Sequence, residues 1–525
     1  MTNTIPLDDL VRRMADREAS RTALVWRDQS TSYLTLDARI DRVAYGLLRM
    51  GVTAGSRVVL YMHNIPQFIE SYMAITRIGA IVVPLNVLHE GRDLEYLLAN
   101  CGAVGIITIA PYYPRIKEVR DTLVRLKWVV SIRGNAPQPP NTMAWEDLIG
   151  EALPGRLDSF AEPDAINLVA YTSGTSGPPK GVLHTHNSLL TNCRQFSTMQ
   201  QVDFGNIGPD VVLLPIPLFN LYGLNIGLNH TLMMGGMLVL MERFDAVHAL
   251  ELIQTHSCTV IHGTPSIYRD LVNSPDLSQV DLTSLRYAFC YGAALSDDVA
   301  SAFLRRTRLQ IMECYGLTEA GPVVACAATS NSFRPGSVGQ PLPGVKIRMV
   351  DANDNDLRPG TIGEVVVSGA NLMQDYFNLR KFEATYNSDS SVEPPVSSDA
   401  PLWLHTGDMG WMDPDFNLYL IDRREDMMFI DGEMVFPREI EEALIQHPAV
   451  AEAAAIPVRL PGTEPHFQAV VVLDSYQQNI RETELIEYLR NSLPAKHMPQ
   501  RIYLADYLPR LVNGRIMRRA IRLGS

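Results

Sequence analysis

The chain has 525 residues, 46% of them hydrophobic and 20% charged, with a formal net charge of −13 at neutral pH. That balance is the signature of an ordinary globular protein with several domains or subdomains, and the negative charge argues against a general nucleic-acid binder while leaving room for a local basic patch around a phosphorylated ligand. Six cysteines (Cys101, Cys193, Cys258, Cys290, Cys314 and Cys326) occur without a C-x-x-C pair, so neither a disulfide framework nor a zinc site is signalled, and reduced thiols in the cytoplasm are expected.

In chain order, Asp8, Asp9, Arg12 and Arg13 fall inside the first helical pattern, which leaves no apolar core for a signal peptide. Up to about residue 350, β-rich runs at 56–62, 80–84, 105–108, 211–215, 237–240 and 259–262 alternate with helical patterns, the mark of an α/β fold with substantially parallel sheets and ligands at strand C-terminal ends. The apolar stretch 221–241 is interrupted by Asn225, Asn229, His230 and Gly235-Gly236, so it reads as core and not as a membrane span. Residues 345–369 read as antiparallel strands around Asp- and Asn-rich turns. The Ser-, Asp- and Pro-rich segment 387–400 reads as a mobile surface loop. From about Arg424 a compact α+β module follows, with helices at 437–446 and 482–491 and strands at 450–456 and 469–473.

The richest chemistry lies in Tyr171-Thr172-Ser173-Gly174-Thr175-Ser176-Gly177-Pro178-Pro179-Lys180-Gly181. Glycines let backbone N–H groups converge, Ser and Thr hydroxyls add donors, and Lys180 supplies a positive charge, so the segment suits phosphates. It lacks the Gly-Lys-Ser/Thr of the common nucleotide loop, and alone it also reads as a flexible turn. Tyr315-Gly316-Leu317-Thr318-Glu319 follows an apolar run at 309–314. There an aromatic face suits a purine, a hydroxyl suits a phosphate, and a carboxylate suits Mg²⁺; an ordinary strand-to-loop turn would use the same residues. His405-Thr406-Gly407-Asp408 offers Asp408 to ribose hydroxyls. The charged run Ile421 to Asp426 also reads as a solvated linker.

These motifs, with Arg423 and the C-terminal Leu508-Pro509-Arg510-Leu511-Val512-Asn513-Gly514-Arg515-Ile516-Met517-Arg518-Arg519, appear in the order and spacing of the adenylate-forming superfamily. The chain resembles its acyl-CoA synthetase branch over essentially its whole length, including Phe436-Pro437-Arg438-Glu439-Ile440-Glu441 after Gly432. The resemblance implies a large domain over 1–423 and a small rotating one over 424–525. It implies a two-step reaction: a carboxylic acid attacks ATP to give an acyl-adenylate and pyrophosphate, then coenzyme A displaces AMP, the small domain turning between the steps.

Residue by residue, it implies that Thr172, Ser173, Gly174, Thr175, Ser176, Gly177 and Lys180 embrace the β- and γ-phosphates. Gly292, Ala293 and Ala294 form the adenine turn, Tyr315 beside Gly316 stacks on the base, Thr318 binds phosphate, and Glu319 coordinates Mg²⁺. Asp408 and Arg423 fix the ribose, Glu425 is the hinge, and Gly432 lines the pantetheine tunnel. Asn220, Tyr222, Asn225, His262, Tyr268, Tyr291 and Gly321 border the acyl pocket, with core packing the competing use of each; His262 reads as a satisfied polar residue at a strand end.

Two positions depart from the family pattern. Arg515 stands where the adenylating lysine is usual, and a planar guanidinium cannot occupy the same point as an ammonium. Asn220 stands where histidine or another aromatic residue is common, at the edge of the acyl site. The expectation is a ligase whose thioester-forming half outruns its adenylating half, its acyl-adenylate supplied in part by a separate enzyme. A complete two-step ligase and a non-enzymatic acyl-nucleotide binder are the alternatives. A peptide-synthetase module is disfavoured because the sequence stops at Ser525 with no carrier domain. Oligomeric state is left open, a homodimer among the options.

Overall fold

The computed structural model describes residues 6–150, 155–172, 178–204, 209–327, 333–378, 402–430, 433–459, 465–474, 480–510 and 516–521. The expected surface loop at 387–400 lies outside them, as do Ser173, Gly174, Thr175, Ser176, Gly177, Gly432 and Arg515. Two compact units emerge: Met1–Ser332 with Leu342–Val345 and Gly369–Leu402, and Phe333–Pro341 with Lys346–Ser368 and Trp403–Ser525.

The first unit is built on two parallel-rich sheets. One is eight-stranded, in the order Asp375–Phe377, Gly181–Thr185, Ile166–Tyr171, Ile81–Pro84, Arg57–Tyr61, Gly105–Ile109, Trp128–Ile132 and Met143–Ala144. Its inner strands pair in parallel, and Gly105–Ile109 is buried at every residue. Such continuous apolar runs follow from helices covering both faces. The other sheet runs Ala325–Cys326, Ile311–Tyr315, Tyr287–Tyr291, Val260–Gly263, Val211–Leu214, Met237–Leu240, Thr22–Trp26 and Gln29–Ser32. Local chemistry sets the helices between strands: the Ser32 hydroxyl accepts from the Thr35 amide at the start of Tyr33–Arg49, Asp245 does the same for His248, and Pro265 opens Pro265–Asn273.

The apolar stretch after Leu221 folds as a π-helical segment, Tyr222–Asn229, then a short α-helix, His230–Met233, and the strand Met237–Leu240. No helix among the described residues is long and apolar enough to cross a membrane. All six cysteines are buried free thiols.

The second unit holds a four-stranded sheet, in the order Lys346–Val350, Gly363–Ser368, Leu404–Met412 and Leu418–Arg423. Its pairs are antiparallel, as the turn-rich sequence there predicts. It is followed by a hairpin, the helix Pro437–Ile445, a three-stranded sheet and the helix Glu482–Leu489. Pro437 takes the first helical position, where its missing N–H loses nothing.

Candidate active site

The phosphate-type loop springs from paired antiparallel strands, Ile166–Tyr171 and Gly181–Thr185. Its base is closed by the Thr172 amide donating to the Lys180 carbonyl at 2.9 Å and by the Lys180 amide donating to the Thr172 hydroxyl at 3.3 Å. Lys180 is exposed, and its ammonium lies over the Tyr376 ring, 5.3 Å from the centroid. Tyr376 belongs to Asp375–Phe377, which pairs antiparallel with Gly181–Thr185, Tyr376 opposite Val182.

Tyr315 ends the strand Ile311–Tyr315, parallel to Tyr287–Tyr291. The turn Gly292-Ala293-Ala294 follows that neighbouring strand, so the two predicted adenine contacts arise at adjacent strand C-terminal ends, where open α/β sheets place ligands. Gly292 has φ +102, a conformation only glycine adopts readily. Gly316 is fixed by space: a Cβ there would lie 1.8 Å from the Pro322 carbonyl oxygen.

Thr318 and Glu319 lie on the tight turn Thr318–Ala320, whose carbonyls have no regular ladder to join. Separate donors take these three carbonyls and that of Gly321, which follows. His184 Nε2 lies 2.7 Å from the Thr318 carbonyl, the Met373 amide donates to Glu319 at 2.8 Å, Asn371 Nδ2 to Ala320 at 2.7 Å, and Asn225 Nδ2 to Gly321 at 2.7 Å. Asn192 adds a two-way clamp on Val323, accepting from its amide and donating to its carbonyl. Burial lowers the His184 pKa to about 4, its bond to Thr318 opposing the shift, so the ring is neutral at pH 7 and Nε2 carries the proton that the carbonyl accepts. Held this way, the Thr318 hydroxyl and the Glu319 carboxylate are pre-positioned on a rigid backbone. The Tyr376 hydroxyl donates to Glu319 Oε1 at 2.9 Å.

Around the expected acyl pocket, Tyr222 stacks on Tyr291 with centroids 4.3 Å apart, and its hydroxyl lies 2.9 Å from His262 Nδ1. Burial pushes the His262 pKa down to about 3, making it the satisfied polar residue that the sequence indicates and a poor general base. Tyr268 is fully buried, its hydroxyl donating to the Phe289 carbonyl. Asn225 Nδ2 also reaches the Leu189 carbonyl. Asn220 Oδ1 accepts from the Tyr222 amide at 2.8 Å, so this side chain caps the turn that carries Tyr222.

In the second unit, Asp408 and Arg423 are opposite residues on paired strands, joined by an ion pair of 2.8 Å between Arg423 Nε and Asp408 Oδ1. Arg423 also donates to the Thr406 carbonyl, and the Asp408 amide to the Thr406 hydroxyl. Gly407, at φ +71, makes the bend. Glu425 is exposed in the turn after this strand, its carbonyl accepting from Arg459. Arg518 bonds to Asp422 and Asp426 on either side of Glu425 and to Glu441 on the helix Pro437–Ile445.

His184, Asn192, Asn371, Tyr376 and Arg518 have no part in the motif reading. Only Arg518 sits in a motif that the sequence makes visible; the others meet the site through side-chain hydrogen bonds across long sequence separations.

The AMP-binding enzyme family matches residues 11–377 and its C-terminal domain residues 439–515. The chain belongs to this family. It is 29% identical over 542 residues to a long-chain-fatty-acid–CoA ligase of Bacillus subtilis, covering 98% of this chain and 94% of that one. It is 30% identical over 530 residues to 4-coumarate–CoA ligase 5 of Oryza sativa, covering 99% and 94%. Among solved structures, the anthranilate CoA ligase AuaEII in complex with anthranoyl-AMP superposes with TM-score 0.85 at 26% identity, covering 99% and 96%. The ligase thus stands in the acyl-CoA ligase branch of the adenylate-forming superfamily, an enzyme of the AMP-forming acid–thiol type that works through an acyl-adenylate and uses ATP and CoA. The sequence-based expectation that Asp408 binds the ribose predicts that Asp408→Ala weakens binding of a non-hydrolysable acyl-adenylate by about 1.5–3 kcal/mol, the loss of an ionic acceptor for hydroxyl groups. Calorimetry reads this directly, and unchanged affinity would place the ribose elsewhere.

Proposed function

We propose that this ligase forms acyl-CoA with a thioester-forming half stronger than its adenylating half. In the first step a carboxylate oxygen of the acid attacks the α-phosphorus of ATP, forming the acyl–phosphate bond as the bond to pyrophosphate breaks. In the second, the CoA sulfur attacks the acyl carbon, the C–S bond forms, the C–O bond to AMP breaks, and the thiol proton is released. Thr172, Lys180 and the 173–177 loop are assigned to the β- and γ-phosphates, Gly292 to Ala294 and Tyr315 to adenine, Thr318 to phosphate, and Asp408 with Arg423 to the ribose. Among the described residues no group of three or more His, Cys, Asp or Glu side chains could hold a metal alone. Mg²⁺, which favours one or two carboxylates together with substrate phosphates, therefore fits Glu319 as a partner held jointly with the nucleotide. Bound there, it would neutralise phosphate charge as pyrophosphate departs.

The observation that carries the asymmetry is Asn220. Its Oδ1 is committed to the Tyr222 amide, so the position supplies a turn cap in place of the ring that related ligases commonly present to the acyl site. Arg515 acts in the same direction, because its broad fork replaces a compact ammonium. The second half-reaction asks for adenylate binding and a thiol path, assigned to Gly432, and neither Asn220 nor Arg515 is needed to supply them. Domains at 1–423 and 424–525 turning at Glu425, a cytoplasmic setting consistent with buried free thiols and a separate enzyme as partial source of adenylate complete the reading.

The activities for which the relatives are named favour a second reading, a complete ligase in which arginine serves adequately. Wild-type protein given preformed acyl-adenylate and CoA is expected to yield thioester much faster than protein given free acid and ATP, across several acids, with pyrophosphate release and acyl-CoA mass as readouts. Equal rates would establish the complete ligase.

A further inference from the structure

Tyr376 touches two groups that the proposed chemistry needs apart. Its hydroxyl donates to Glu319 Oε1 at 2.9 Å, while its ring face carries the Lys180 ammonium at 5.3 Å. The two charges are opposite, and an aliphatic residue between them would leave the flexible lysine to pair with the carboxylate, neutralising both. The strand pairing explains why Tyr376 is held in place: it faces Val182, two residues after Lys180, in a short strand added to the edge of the sheet. On the other side, the Met373 amide and Asn371 side chain, from the approach to the same strand, bind the carbonyls of Glu319 and Ala320. One segment, residues 371–376, therefore fixes the backbone and the side chain of Glu319 together with the head of Lys180.

We infer that Tyr376 is a positioning residue that holds Glu319 for the metal and Lys180 for the phosphates by keeping them from neutralising one another. This rests on the assignment of Glu319 to Mg²⁺ and of Lys180 to the nucleotide phosphates. The two halves of the tyrosine do separate work. The hydroxyl orients the carboxylate by a hydrogen bond to a charged acceptor, and the ring holds the ammonium by a cation–π contact. Neither partner is among the residues assigned to the sugar or base, so AMP affinity is expected to be unaffected.

The test is calorimetric binding of a non-hydrolysable ATP analogue with Mg²⁺, the same analogue with EDTA, and AMP, so that it does not depend on how well the protein adenylates. Tyr376→Phe keeps the ring and removes the hydroxyl. It is expected to reduce the gain in affinity that Mg²⁺ gives by roughly tenfold or more, the factor that corresponds to losing a hydrogen bond to a charged group, with metal-free analogue and AMP bound as before. Tyr376→Leu removes the ring too and is expected to weaken the metal-free analogue by a further factor of about 2–5, the range of an exposed cation–π contact. Glu319→Gln is the reference. A Mg²⁺ gain abolished in Glu319→Gln yet intact in Tyr376→Phe overturns the positioning role alone. A gain intact in both variants overturns the metal assignment of Glu319 and the positioning role with it. Parallel loss of analogue and AMP affinity in Tyr376→Phe would mark a purely structural residue and also overturn the proposal.

Discussion

Arg515→Lys is expected to raise pyrophosphate release from free acid and ATP by on the order of 10²- to 10³-fold, the size of one oriented transition-state donor. Thioester formation from supplied adenylate should stay almost unaltered. The expectation follows from charge geometry: an ammonium is a point donor that can approach a carboxylate and an α-phosphate together, whereas a guanidinium presents a rigid planar fork. Residues flanking 511–515 are anchored, Arg510 bridging to Ile516 and pairing with Glu452 at 2.9 Å, and Arg518 with Glu441 at 2.9 Å. The substitution therefore changes the head group of position 515 with its flanks held. Repair will be partial while Asn220 remains, so Arg515→Lys with Asn220→His is the stronger variant. Stopped-flow pyrophosphate release reads the first step and acyl-CoA mass the second. No gain in either variant would mean that these two residues do not limit adenylation.

Much of the fold was legible because strand and helix periods are local. Six parallel strands fall within a residue or two of the apolar runs that predict them, while Thr22–Trp26, Trp128–Ile132 and Tyr287–Tyr291 have no such predicted run, and Pro437 opens its helix as its fixed φ requires. Tyr315 sits at the strand end, as the last residue of Ile311–Tyr315. The groups that make Thr318 and Glu319 rigid were not legible. His184 and Asn371 reach that turn from 134 and 51 residues away, and no spacing rule connects a histidine on one sheet to a carbonyl beside another. The same holds for Tyr376, whose relation to Lys180 exists only once two strands pair. Asn225 shows the opposite problem: its residue type suits an acyl pocket, yet its amide is spent on two carbonyls.

Arg77→Met is expected to destabilise the first unit by about 3–5 kcal/mol, the range for stripping one partner from a buried ion cluster. Arg77 ends the helix Pro66–Arg77 and is fully buried. Its guanidinium meets Asp8 at 3.2 Å, Asp37 at 2.7 Å and Asp41 at 2.6 Å. Arg12 pairs with Asp37 and Asp41, and Arg156 with Asp37 while also pairing with Asp16, so the three buried carboxylates meet three guanidinium groups, one of them shared with Asp16. Methionine fills similar space without charge, leaving the three carboxylates packed together with two partly exposed cations. Because a protein of this size need not unfold in one step, hydrogen exchange of amides in Asp9–Arg17 and Tyr33–Arg49, the helices carrying or adjoining these partners, is the appropriate readout. Exchange should accelerate there by at least about 10²-fold, the factor equivalent to the lower end of that range, while the second unit exchanges as before. Adding Asp41→Asn should recover part of the loss, since one fewer buried carboxylate then lacks a partner. Unchanged exchange in both helices would show that water or rearranged arginines satisfy the carboxylates without Arg77, and that the cluster contributes little to holding the N-terminal helices in place.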